Sequence, residues 1–188
     1  VERVIGVLAD DGMEGRGAFS PAALRAAEFI AAEFGEIGLH EISGNDGYLQ
    51  HFKARRRGRR GRGRGGGDRA EADETEYELS NVVGMVTGNR TDEFVVFSAH
   101  YDHIGIRPGG DDVIANGAND NASGTTAVIE LARYFNSQPT PERTLLFVAF
   151  TGEESGGLGS RYFSEQLDPD NIVAMFNIEM IGKPAVSG

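Results

Sequence analysis

Thr144-Leu145-Leu146-Phe147-Val148-Ala149-Phe150 is a seven-residue run without a charge, followed at once by Thr151-Gly152-Glu153-Glu154. An uninterrupted apolar run of that length, ended by a turn-forming Gly, reads as a strand covered on both faces. Its surroundings carry the same rhythm. Residues 81–87 and 93–99 read as strands, and residues 172–178 as another buried strand. Residues 123–136 read as a helix with Val128, Leu131, Ala132 and Phe135 on one face, and residues 157–167 as a further helix. Strand, helix, strand, helix, strand predicts an α/β fold with a mostly parallel central sheet sandwiched by helices.

Upstream, residues 20–38 read as a helix. Ser20 is placed to cap it, Pro21 occupies its first position and Gly38 ends it, while Leu24, Ala27, Ala31, Phe34 and Ile37 recur at helical spacing. Residues 11–17 form a Gly-rich turn and residues 47–53 a short strand. Residues 54–78 have almost nothing apolar to pack and are expected to be a mobile loop. The first part of that stretch is Arg and Gly; the second is rich in Glu71, Asp73, Glu74, Glu76 and Glu78.

The 188 residues suit a single domain spanning 1–188. The chain starts with Val, and a processed or excised fragment is the expectation. It has no Cys, so disulfides, thiolate metal sites and Cys nucleophiles are excluded. No apolar run reaches the ~18–20 residues needed to span a bilayer. Net charge is -11, yet residues 53–69 hold nine Lys and Arg against Asp68 alone. An acidic body with one basic stretch argues against nucleic acid as a partner. An Arg/Gly run can contact RNA, but this one lacks the interleaved aromatics that stack on bases.

Polar groups gather where the apolar strands end. His100 follows the strand at 93–99, Glu153 and Glu154 follow 144–150, Glu179 follows 172–178, and Asp120 stands just ahead of the 123–136 helix. In open α/β sheets, ligands bind beyond the carboxyl ends of the strands. One imidazole nitrogen with several carboxylate oxygens suits a divalent metal such as Zn, Co or Mn. An Asp can bridge two ions, and a pair of ions about 3.5–4 Å apart can activate a water and polarise a carbonyl. Of two adjacent Glu, one can bind metal while its neighbour takes a proton. Asp102, two residues past His100, can accept the ring's other N–H.

Three blocks carry a family resemblance: His100-Tyr101-Asp102-His103-Ile104-Gly105, Gly117-Ala118-Asn119-Asp120-Asn121-Ala122-Ser123-Gly124 and Phe150-Thr151-Gly152-Glu153-Glu154-Ser155-Gly156. With the Leu8–Arg16 stretch ahead of them, they resemble the zinc-dependent aminopeptidase family, which also includes glutamate carboxypeptidases and glutaminyl cyclases. The likeness runs from about Val4 to Lys183, with 54–78 as the gap. It implies that His100 binds one zinc, Asp120 bridges two, Glu154 binds the second, Glu153 is the general base and Asp102 orients His100. Glu179 matches a further ligand that is more often Asp in the family. The family's last ligand, a His in the C-terminal part of the domain, has no counterpart; His40 and His51 lie far upstream. The domain is therefore expected to be truncated at its C-terminal end, with two zinc ions in the complete site and one possible here.

Blander readings exist for each residue. His100 with Asp102 can be a surface pair, Asp120 a helix cap, Glu153 and Glu154 first-turn helix acids, and Glu179 a structural carboxylate. His103 reads as a local hydrogen-bonder and not a ligand; Tyr101, Tyr134 and Tyr162 read as packing residues. The function implied is a metal-dependent exopeptidase of the aminopeptidase type. A metal-activated water would attack a peptide with a free N-terminus, with Glu153 as base. The alternatives are a truncated or non-catalytic binding version of the same fold, or a glutaminyl cyclase-like acyltransferase. Family habit leans extracellular or periplasmic.

Overall fold

The computed structural model describes residues 1–56 and 75–183. Five strands form one sheet: β1 (Leu49–Arg55), β2 (Glu76–Val86), β3 (Arg90–His100), β4 (Arg143–Phe150) and β5 (Ile172–Asn177), in the spatial order β1-β2-β4-β3-β5. β4 runs parallel to β3, and β3 parallel to β5, whereas β1 with β2 and β2 with β4 are antiparallel. The α/β class holds. The parallel part is the half that carries the site, and the other half is antiparallel.

The opening heptad is β4, and its alternation explains why it is apolar from Leu145 onward. Leu145, Phe147 and Ala149 face one cluster with α1 (Glu2–Leu8), α2 (Pro21–Ile37) and α3 (Ser123–Asn136). Leu146, Val148 and Phe150 face the other, where Phe163 of α4 (Leu158–Ser164) packs. A period of two with both sides covered favours apolar residues throughout; Thr144, at the start of the run, is buried with its hydroxyl accepting from Gly88 N–H and donating to the Arg90 carbonyl.

α2 forms where its caps and spacing predict, and Ala27, Phe34, Ala31 and Ile37 of the expected face pack on the core, but Leu24 does not. Ala22, Ala23, Ala26, Ala27, Ile30 and Phe34 are buried, whereas Leu24 is 48% exposed. The small alanines let the helix lie close to the sheet, so they, and not the larger Leu24, set its orientation. Gly38 closes it in the left-handed conformation at φ 82°, donating to the carbonyls of Phe34 and Gly35. The Ser20 hydroxyl donates to the carbonyl of Gly17 and caps no helix N–H.

Several segments differ from the sequence expectation. The loop expected at 54–78 is strand at both ends, where Ala54 pairs with Tyr77 and Arg55 with Glu76; residues 57–74 lie outside the described residues. α4 is shorter than the 157–167 helix expected. The segment 172–178, expected to be buried, lies at one side of the sheet. There Val173, Met175 and Phe176 are 52%, 48% and 53% exposed. A strand with one neighbour keeps an open flank whatever its composition. Apolarity reports that β5 is a strand but cannot report how many strands flank it.

Candidate metal centre

Three chain turns meet at the carboxyl ends of β4, β3 and β5. His100 is the last residue of β3 and is 4% exposed. Its backbone carbonyl accepts from the Thr125 hydroxyl at 2.9 Å, which ties the strand end to α3. Its Nδ1 lies 3.1 Å from the Asp102 carbonyl and 3.7 Å from the Asp102 carboxylate. Its Nε2 faces the opposite way, 3.3 Å from Asp120 Oδ1 and 4.0 Å from Glu179 Oε1.

Asp102 is fully buried. Besides facing His100, its two oxygens accept the backbone N–H groups of Glu153 at 3.1 Å and Glu154 at 3.3 Å. One carboxylate thus fixes the turn after β4 relative to the end of β3.

Asp120 is held by its neighbours and not as a helix cap. Gly117 leads in at φ 61°, a left-handed backbone that suits Gly, and a Cβ there would stand 2.4 Å from the Asp120 carbonyl. Asn121 is fully buried and does the joining. Its Oδ1 accepts from Gly124 N–H at 3.0 Å and Met180 N–H at 3.3 Å, and its Nδ2 donates to Ile178 O at 2.9 Å. These bonds connect the start of α3 to the segment bearing Glu179. Glu179 Oε1 accepts from Asn177 at 3.2 Å, and Asn177 accepts from Ser98 at 3.0 Å. Asn121 was legible only as part of a block; nothing local in the sequence reveals its two distant partners, Ile178 and Met180.

His103 stands on the far side of Asp120. Its Nδ1 lies 2.8 Å from Glu154 Oε1 and 3.9 Å from Asp120 Oδ2. One ligand atom each from His103, Asp120 and Glu154 falls within 4.8 Å of the others, a group fit to hold a metal ion. His103 was expected to bond locally; its ring nitrogen instead lies within hydrogen-bond distance of Glu154, 51 residues away.

The electrostatics are those of a site built for cations. Burial lowers the His100 pKa, but the hydrogen bond and charge of Asp102, with Glu153, outweigh it and raise it to about 9. Burial raises the pKa of Glu153; the His100 charge opposes this, while Asp102, Glu154 and Glu179 reinforce it. The six site residues expected from sequence therefore lie together, one imidazole nitrogen and several carboxylate oxygens facing the same region. Zinc accepts that donor set.

The family model for peptidase family M28 matches residues 81–187 of the chain. Aminopeptidase YwaD of Bacillus subtilis is 32% identical over 113 residues, covering 57% of this chain and 23% of that protein. A "Probable zinc metalloprotease" of Pyrenophora teres f. teres is 35% identical over 107 residues, covering 55% and 23%. The matched region thus spans about a quarter of the length of these curated relatives. In fold, the chain is similar to a zinc aminopeptidase from Bacillus subtilis, with a TM-score of 0.71 at 18% identity; the match covers 96% of this chain and 68% of that one. A glutaminyl cyclase from Bacteroides thetaiotaomicron gives a TM-score of 0.67 at 18% identity, covering 97% and 61%.

Proposed function

The chain belongs to peptidase family M28, and from that premise we propose that it carries the metal-binding half of an aminopeptidase-type exopeptidase site. One observation carries the reading. The two oxygens of Asp120 face different histidines, Oδ1 toward His100 and Oδ2 toward His103 beside Glu154. A carboxylate divided in that way suits a bridge between two cations. Zinc is supported by the relatives named as zinc enzymes and by the mixed nitrogen and oxygen donors.

His100, Asp120 and Glu179 would hold one ion, and Asp120 and Glu154 would hold the second. Zinc, when bound, supplies a Lewis acid that acidifies water and polarises the scissile carbonyl. Glu153 takes the proton of the attacking water and returns it to the leaving amine. Its raised pKa brings it closer to neutral pH, where a carboxylate exchanges protons more readily. Asp102 holds the Glu153 and Glu154 backbone in place and faces the His100 ring, so it acts through both. The substrate would be a peptide with a free N-terminus, the class implied by relatives named aminopeptidase.

The test is hydrolysis of aminoacyl-anilides by the longest natural form of the protein, loaded with zinc. Glu153→Gln should lower kcat by about 10²–10⁴-fold with KM little changed. Equal activity of parent and variant would overturn the role of Glu153. The likeness to a glutaminyl cyclase fold calls for a parallel assay. Cyclisation of an N-terminal Gln peptide without anilide hydrolysis would favour that reading, and loss of both with metal retained would favour a binding module.

A further inference from the structure

We infer that His103, through Nδ1, is itself a ligand of the second cation, beside Asp120 and Glu154. The inference rests on the metallopeptidase reading and extends it to a residue that none of the motif-derived roles includes. Two ligand atoms around a tetrahedral zinc, each about 2.0–2.1 Å from it, stand roughly 3.3 Å apart. The His103 Nδ1 separations of 2.8 Å from Glu154 and 3.9 Å from Asp120 bracket that value.

The ring is held from behind. The His103 backbone N–H donates to the carbonyl of Arg16 at 3.2 Å. On the other edge, a Cβ on Gly117 would lie only 2.7 Å from His103 Cδ2, so the imidazole packs directly on that glycine's backbone. Arg16 in turn donates to the carbonyl of Gly117 at 2.9 Å. With both flanks occupied, the side chain is 11% exposed and Nδ1 is directed at the two carboxylates.

The other histidines do not compete for this place. His100 Nε2 faces the first side of Asp120. His40 is engaged with Thr87 and His51 with Ser80, both on the antiparallel half of the sheet. His103 alone among the four brings a nitrogen to Glu154.

Zinc titration of ¹⁵N-histidine-labelled protein tests this, because four histidines give a short spectrum to assign. The expected result is two zinc ions per chain, with His103 Nδ1 shifting to the range of a coordinated imidazole. His103→Gln should retain one ion and weaken the second more than roughly 100-fold, since even outer partners of metal ligands cost about 10- to 100-fold. Its near-ultraviolet dichroism should match the parent, and His40→Gln should still bind two. An unmoved His103 nitrogen in zinc-loaded parent, or a His103→Gln variant binding two ions as tightly as the parent, overturns the inference and leaves the metallopeptidase reading standing. A parent that binds no zinc overturns both.

Discussion

His100 shows how one side chain couples the site to pH. Asp102 supports its charged form strongly enough to raise its pKa to about 9 despite burial. At neutral pH the metal-free ring therefore carries a proton that any cation must displace. Zinc affinity, measured in chelator-buffered solution, should rise from pH 6 and level off above about pH 9; an affinity independent of pH would contradict this. The folding consequence has a definite sign. A pKa above the ordinary value of 6.5 means that the folded state binds the proton more tightly. The stabilisation is complete below about pH 6.5 and disappears as pH rises through about 9. Thermal melts of the metal-free protein should show that loss, and His100→Ala should flatten it.

Elements meet at the site through close backbone contacts as much as through side chains. Gly124, in the first turn of α3, leaves room for the carbonyl of Ile178 just beyond β5; a Cβ there would stand 2.2 Å from that oxygen. Alanine is the better helix former by about 0.8–1 kcal/mol. Even so, Gly124→Ala should lower the melting temperature and weaken zinc binding, because the 178–180 segment must move and Glu179 moves with it. A variant as stable as the parent, with unchanged zinc affinity, would show that this contact yields easily. β5, just ahead of this segment, is more exposed than its apolar sequence predicts. Phe176 stacks on Phe97 with ring centroids 5.3 Å apart, yet remains half exposed because, among the described residues, β3 is the only strand that pairs with β5.

Across the whole molecule, Arg16 fastens the N-terminal segment to the site. Its side chain is fully buried and donates to the carbonyls of Leu8, Tyr101, Asn116 and Gly117, while its own backbone adopts φ 50°. Burial lowers its pKa to about 10, with Asp102 and Asp120 opposing the shift. Arg16→Met would leave four carbonyls without this donor, and an unsatisfied buried polar group costs about 1–3 kcal/mol. The melting temperature should fall by several degrees and zinc affinity should drop, with Arg16→Lys recovering part of each; unchanged melting would refute the role. Arg16 was legible only within a Gly-rich turn, because its partners lie as far as 101 residues along the chain. Strands, helices and the chemical types at their ends were legible in the sequence, since period-two and helical patterns, Gly and Pro stops, and carboxylates after apolar runs are local properties. The tertiary structure alone decided that the sheet is half antiparallel, that β5 lies at one side of it and that Asn121 joins α3 to Glu179. It alone brought His103 to Glu154, 51 residues away. The physical reason is that a residue's conformational preference acts on its own backbone, whereas a strand's place in the sheet and a side chain's partner arise only when distant segments compete to bury the same surface.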